Sequence, residues 1–206
     1  KEYTILVIED DKDIQSLLIG LLEEKYNVIV ADNIAEARTK IKSHTISLIL
    51  CDVMLPDGNG HEIARDIKSN QETSHLPVIL LTAAADFNNK RKGWVNGIDD
   101  YVVKPFAVDD LIFRINSAIE NRERLQQWYR VKFLCEDDKL SQDKIQINTV
   151  DMDYLSKLEK EALALIAGGQ CNQTNLANSM NQGVRSLQRK ISSLLGCTYQ
   201  KYIDGI

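Results

Sequence analysis

Short apolar runs recur through the first half of the chain: Tyr3–Ile8 (YTILVI), Tyr26–Val30, Ile46–Cys51 (ISLILC), Pro77–Leu81 (PVILL) and Tyr101–Val103. Their β-branched content and length predict strands, and ISLILC is apolar at nearly every residue, as a strand buried on both faces should be. Between them the period changes. Asp11–Lys25 carries Ile14, Leu17, Leu18, Leu21 and Leu22 at helical spacing, and Ile34–Ser43, Gly60–Lys68 and a long Ala107–Arg124 read as helices too. Alternating strand and helix predicts an α/β fold, a doubly wound five-stranded parallel sheet with helices on both faces.

The pattern then changes. Leu125–Val150 reads as a linker, with the acids Glu136, Asp137 and Asp138 and an extended piece at Lys144–Val150. From Asp151 to Ile206 the signal is purely helical. Tyr154–Ala167 is amphipathic and closed by Gly168–Gly169, Thr174–Met180 is short, Val184–Leu195 is stopped by Gly196, and Tyr199–Ile203 is a last short helix. The expected organisation is a domain over 1–124, a linker over 125–150 and a small all-α domain over 151–206.

Charge separates the two parts. Of 206 residues, those through Arg124 hold 15 Lys+Arg against 21 Asp+Glu, a net of −6, while the remainder holds 10 against 9. Between Glu161 and Asp204 there are no acids and four cations, Arg185, Arg189, Lys190 and Lys201. An acidic front and a locally basic back suggest two tasks. No run of about 18 apolar residues is present, so no membrane span is expected. Cys51, Cys135, Cys171 and Cys197 lack metal-ligand spacing and read as free thiols of a cytoplasmic protein. The opening on Lys1 reads as a fragment.

In a doubly wound sheet, sites form beyond the carboxyl ends of the strands. Glu9, Asp10 and Asp11 follow the first run, Asp52 the third, Thr82 the fourth and Lys104 the fifth. Any one of these acids alone would read as a helix cap. Together they predict an oxygen-ligand site for Mg²⁺ beside a carboxylate nucleophile for a phosphoryl group, with lysine and hydroxyl partners.

The ordered set ILVIEDD, LILCDVMLPDGNG, PVILLTA and GIDDYVVKPF resembles the receiver domain of two-component response regulators, over Lys1 to about Arg124. The resemblance implies a flavodoxin-like fold and a phosphoryl acceptor, not an enzyme in its own right. It implies Asp52 as the phospho-acceptor, and Glu9, Asp10, Asp52 and the backbone carbonyl of Met54 as the Mg²⁺ site. Thr82 and Lys104 become the phosphoryl partners, Thr82 and Tyr101 the switch pair, and Lys104–Pro105 a cis peptide bond. A sensor histidine kinase is the implied donor, and dimerisation on the side of the family's fourth and fifth helices is the implied response. Met54 and Ala84 occupy the positions that steer hydrolytic water in the family, and neither can orient one. A long-lived phosphoryl state is therefore expected.

The stretch LANSMNQGVRSLQRKISSLLG, Leu176 to Gly196, resembles the first helix-turn-helix of AraC-type regulators, through Leu176, Ala177, Leu187, Arg189 and Gly196. It implies DNA contacts by Arg185, Arg189 and Lys190. Asn181, Gln182 and Gly183 depart from the family's turn, and the chain ends at Ile206 before a second such motif. The expectation is a truncated or reduced output domain in a phosphorylation-controlled transcription regulator. The alternative is that the C-terminal helices bind a protein.

Overall fold

The computed structural model describes residues 1–83, 98–134 and 148–206. They divide into two compact units, Lys1–Ser69 with Leu76–Glu120, and Asn70–His75 with Asn121–Ile206.

The first unit alternates β1 (Thr4–Ile8), α1 (Lys12–Leu22), β2 (Asn27–Ala31), α2 (Ile34–Ser43) and β3 (Leu48–Asp52). A two-residue hairpin, β4 (Met54–Leu55) and β5 (Gly58–Asn59), leads into α3 (Gly60–Ser69), then β6 (Val78–Ala83), β7 (Asp100–Lys104) and α4 (Val108–Leu134). The five main strands form one parallel sheet in the order β2-β1-β3-β6-β7. The doubly wound five-stranded parallel sheet expected from the apolar runs is observed, in the flavodoxin-like form the resemblance implied.

Strand alternation explains the layers. Leu6, Ile8, Ile49, Cys51, Val78 and Leu80 face α2 and α3, meeting Ile34, Ala37, Ile41, Ile63 and Ile67. Their alternate neighbours Ile5, Val7, Leu48, Leu50, Ile79 and Leu81 face α1 and α4, meeting Leu18, Leu22, Leu111 and Ile115. Both faces are covered, so nearly every strand residue is apolar.

The second unit is all α. It takes the far end of α4, then α5 (Thr149–Ala167), α6 (Gln173–Ser179), α7 (Val184–Leu195) and α8 (Tyr199–Asp204). Its core gathers Tyr129, Phe133, Tyr154, Leu158, Leu176, Leu187, Ile191 and Leu194. Between α6 and α7, Asn181 takes the left-handed conformation at φ 54° that glycine would otherwise supply. Gly196 ends α7 in the same region, at φ 63°. Gly183 precedes α7 without a side-chain cap.

Two expectations are revised. The helix expected to end at Arg124 continues to Leu134, because Leu125, Trp128, Tyr129 and Phe133 continue its apolar spacing into the second core. Part of the expected linker is therefore helix, and its residues 135–147, with the Glu136–Asp138 cluster and most of the Lys144–Val150 piece, lie outside the described residues. Thr149 and Val150 already belong to α5. Cys51, Cys171 and Cys197 are free thiols, and Cys135 also lies outside the described residues. Among the described residues no helix is long and apolar enough to cross a membrane.

Candidate phosphoryl-acceptor site

Strand register sets the site. Asp52 is the last residue of β3 and pairs with Leu81, while Thr82 pairs with Val103 and Ala83 with Lys104. Glu9 follows β1, and its amide donates to Ala31 O at 3.1 Å. The carboxyl ends of β1, β3, β6 and β7 thus bring Glu9, Asp52, Thr82 and Lys104 to one edge of the sheet.

Asp11 serves as the N-cap of α1, accepting from the amides of Asp13 at 2.8 Å and Ile14 at 3.1 Å. That cap turns the chain away and leaves Glu9 and Asp10 at the edge. Behind Asp52, Gly60 packs so closely on the Asp52 carbonyl that a Cβ would collide with it. The Gly60 amide donates to Val53 O at 2.9 Å, fastening the hairpin under β3. Asp52 Oδ1 accepts from the Met54 amide at 3.2 Å, which aims the carboxylate.

The charges converge. Lys104 Nζ donates to Glu9 Oε2 and to Asp52 Oδ2, each at 2.7 Å. Carboxylate oxygens of Glu9, Asp10 and Asp52 lie within 4.8 Å of one another. Glu9 is almost wholly buried, Asp10 exposed and Asp52 between them. Burial pushes the Glu9 carboxyl above its ordinary range, with the Lys104 ammonium opposing and Asp52 adding to the rise. Burial lowers the Lys104 ammonium, but its hydrogen bonds to Asp52 and Glu9 prevail and hold it above its ordinary value. Three crowded carboxylates of hard oxygen character, one driven toward its neutral form, fit a divalent cation such as Mg²⁺.

Thr82 is buried, with its hydroxyl donating to Ala83 O at 3.3 Å. Tyr101 packs against the α2/α3 side of the sheet, its ring 5.9 Å from that of His61. Lys104–Pro105 is cis. Ala84 lies outside the described residues.

In the second unit the three cations expected on one DNA-facing helix have different environments. Arg185 is exposed. Arg189 is half-buried and pairs with Glu72 at 3.3 Å. Lys190 is a correction: its side chain is 2% exposed, so it does not present an ammonium to a solvent-side phosphate. It donates to Asp151 Oδ1 at 2.8 Å and to Ser74 Oγ at 2.9 Å, and Ser74 donates to the same Asp151 oxygen at 2.7 Å. The signal was present in the sequence. Lys190 falls on the helical face of Leu187, Ile191 and Leu194, and Asp151 on that of Tyr154, Leu155 and Leu158. Opposite charges on two apolar stripes are best satisfied by each other.

Comparison with known proteins agrees with this geometry. The profile of the response regulator receiver domain matches residues 5–116. Response regulator ArlR of Staphylococcus aureus is 35% identical over 164 residues, covering 79% of this chain and 72% of ArlR. Histidine kinase P4 of Formosa agariphila is 31% identical over 203 residues, 98% of this chain, which spans only 14% of that protein's length. The crystal structure of a putative response regulator from Chloroflexus aurantiacus superposes with a TM-score of 0.55 at 30% identity, covering 58% of this chain and 99% of that one. A receiver domain protein from Clostridium thermocellum gives 0.54 at 32% identity, over 60% and 98%. The chain belongs to the response regulator receiver domain family. Receiver domains bind Mg²⁺ at an acidic pocket, and Glu9, Asp10 and Asp52 form such a cluster here.

Proposed function

We propose that the protein is a phosphorylation-controlled transcription regulator of the cytoplasm, in which Asp52 accepts a phosphoryl group from a sensor histidine kinase. The observation that carries this reading is the Lys104 ammonium, bridging Asp52 and Glu9 at 2.7 Å on the strand-end edge. Asp52 supplies the attacking carboxylate oxygen, aimed by the Met54 amide. Lys104 already contacts the nucleophile and is placed to neutralise an incoming phosphoryl oxygen. Glu9, Asp10, Asp52 and the Met54 carbonyl would hold Mg²⁺, which supplies charge neutralisation for the transferring oxygens. Among the described residues the Thr82 hydroxyl donates to its neighbour's carbonyl, a bond it can exchange for a phosphoryl oxygen, and Tyr101 is the second member of the switch. Met54 offers no group to orient a hydrolytic water, which supports a persistent phosphoryl state. Dimerisation on phosphorylation follows the family.

The output is read as DNA binding by α6, the Asn181 turn and α7, an arrangement of AraC-type helix-turn-helix character over 151–206. The alignment to histidine kinase P4 over 203 residues extends through this segment, which supports a unit that accompanies receivers. The second reading, a protein-binding helical module, is favoured by the burial of Lys190 and the pairing of Arg189, which leave Arg185 as the exposed cation of the three.

One experiment tests both halves. The chain is incubated with a small acyl-phosphate donor and Mg²⁺, and phosphoprotein and duplex-DNA retardation are followed across salt. Uptake lost in Asp52→Asn, with salt-sensitive retardation that rises on phosphorylation, is the expected result. Uptake retained in Asp52→Asn would overturn the site, and salt-independent retardation would overturn the DNA reading.

A further inference from the structure

The segment Asn70–His75 belongs to the second unit and is built to hold one side chain in place. The Asn70 side chain accepts from the Glu72 amide, and the Asn70 carbonyl from the Ser74 amide, both at 2.8 Å. Ser74 is fixed from below by Asp151 and Lys190. Its carbonyl also accepts from the Asn148 side chain at 3.3 Å. The two-residue offset from this buried anchor directs Glu72 onto α7.

There both carboxylate oxygens of Glu72 are engaged. Oε1 accepts from the Ser186 hydroxyl, and Oε2 pairs with the Arg189 guanidinium at 3.3 Å. A hydroxyl and a guanidinium on one helix face are the donors that grip the two free oxygens of a phosphodiester. All three side chains remain reachable from solvent, so the carboxylate can be displaced.

We propose that Glu72 is an internal stand-in for a nucleic-acid phosphate: it occupies the Ser186/Arg189 face of α7 and competes with duplex DNA for it. The inference rests on the reading of α7 as a DNA-contacting helix. It makes that surface self-masked, with the mask held by Ser74.

The test uses the 206-residue chain and a labelled mixed-sequence DNA duplex, with affinity measured by fluorescence anisotropy over a salt series. Glu72→Gln keeps the size of the side chain and removes its charge. It is expected to tighten binding by about 2- to 5-fold, the size of an exposed ion pair. The logarithmic salt slope should steepen by up to about 0.9, the increment for one more neutralised phosphate. In an Arg189→Ala background the same change should have no effect. If Glu72→Gln binds as the parent does while Arg185→Ala weakens binding, the mask is refuted and the DNA surface stands. If neither the parent nor Glu72→Gln binds the duplex at low salt, the DNA reading fails and the mask with it.

Discussion

Each unit contains a lysine drawn between two oxygen partners at nearly the same distance, and the two have opposite uses. Lys104 contacts Glu9 and Asp52 at 2.7 Å with its side chain 20% exposed. Lys190 contacts Asp151 at 2.8 Å with its side chain 2% exposed. The first lies at the rim of a sheet, where water can screen the charges and a phosphoryl group can enter. The second lies inside a helical core, where removing either charge strands the other in a poorly solvating medium. Burial, not distance, separates the solvent-reachable lysine from the architectural one.

The comparison breaks most visibly at the core. Lys190→Met should cost the second unit about 3–5 kcal/mol by leaving Asp151 buried and unpaired. The double variant with Asp151→Leu should regain most of it. Urea midpoints for the single and double variants decide this, and equal losses in both would mean the pair is not acting as a pair. At the rim, Lys104→Met should slow phosphoryl uptake from an acyl phosphate by about 10²–10³-fold. Its stability loss should be smaller than that of Lys190→Met. A larger loss would place Lys104 with the architectural lysine.

Alkaline pH sharpens the contrast through tyrosine. Burial pushes the Tyr154 hydroxyl up to about 12, and pushes Tyr129 and Tyr202 higher still, mainly by burial as well. An acid whose folded value is raised binds protons more tightly when folded. The stability it contributes is therefore present below its ordinary value of about 10 and is lost as pH rises past it. The second unit should weaken above pH 10, with tyrosinate absorbance appearing together with loss of helical dichroism. Normal titration of these rings in a folded chain would contradict their burial. The smallest effect is at the uncapped start of α7. Gly183 has an extended backbone and open space where a Cβ would go. Gly183→Ser should add only a few tenths of a kcal/mol, measurable as a shift in denaturant midpoint.

The two units also differed in how much their residues disclosed. The sheet was readable because parallel strands covered on both faces must be apolar throughout, and YTILVI, ISLILC and PVILL are. The gathering of Asp52, Thr82 and Lys104 at one sheet edge was readable because each follows an apolar run at a strand end. What escaped depended on distant pairings. Helical spacing places Lys190 among Leu187, Ile191 and Leu194, but nothing local says that its partners are Asp151 and Ser74. The continuation of α4 was visible in the spacing of Leu125, Tyr129 and Phe133, although the charged residues beside them obscured it. The membership of Asn70–His75 in the helical unit had no local signature at all. Charge counts suggested a basic face, but counts do not reveal that Arg189 has an acid 117 residues away in sequence.

The pairing of Ser74 with Lys190 spans 116 residues, and that interval is also a time. At a synthesis rate of about 5–20 residues per second, Ser74 leaves the ribosome roughly 6–23 seconds before the lysine that will bury it. For that time Asn70–His75 lacks its partner on α7, and the helical unit cannot close its core. The second unit therefore closes only after α7 has been made, around a segment made well before it.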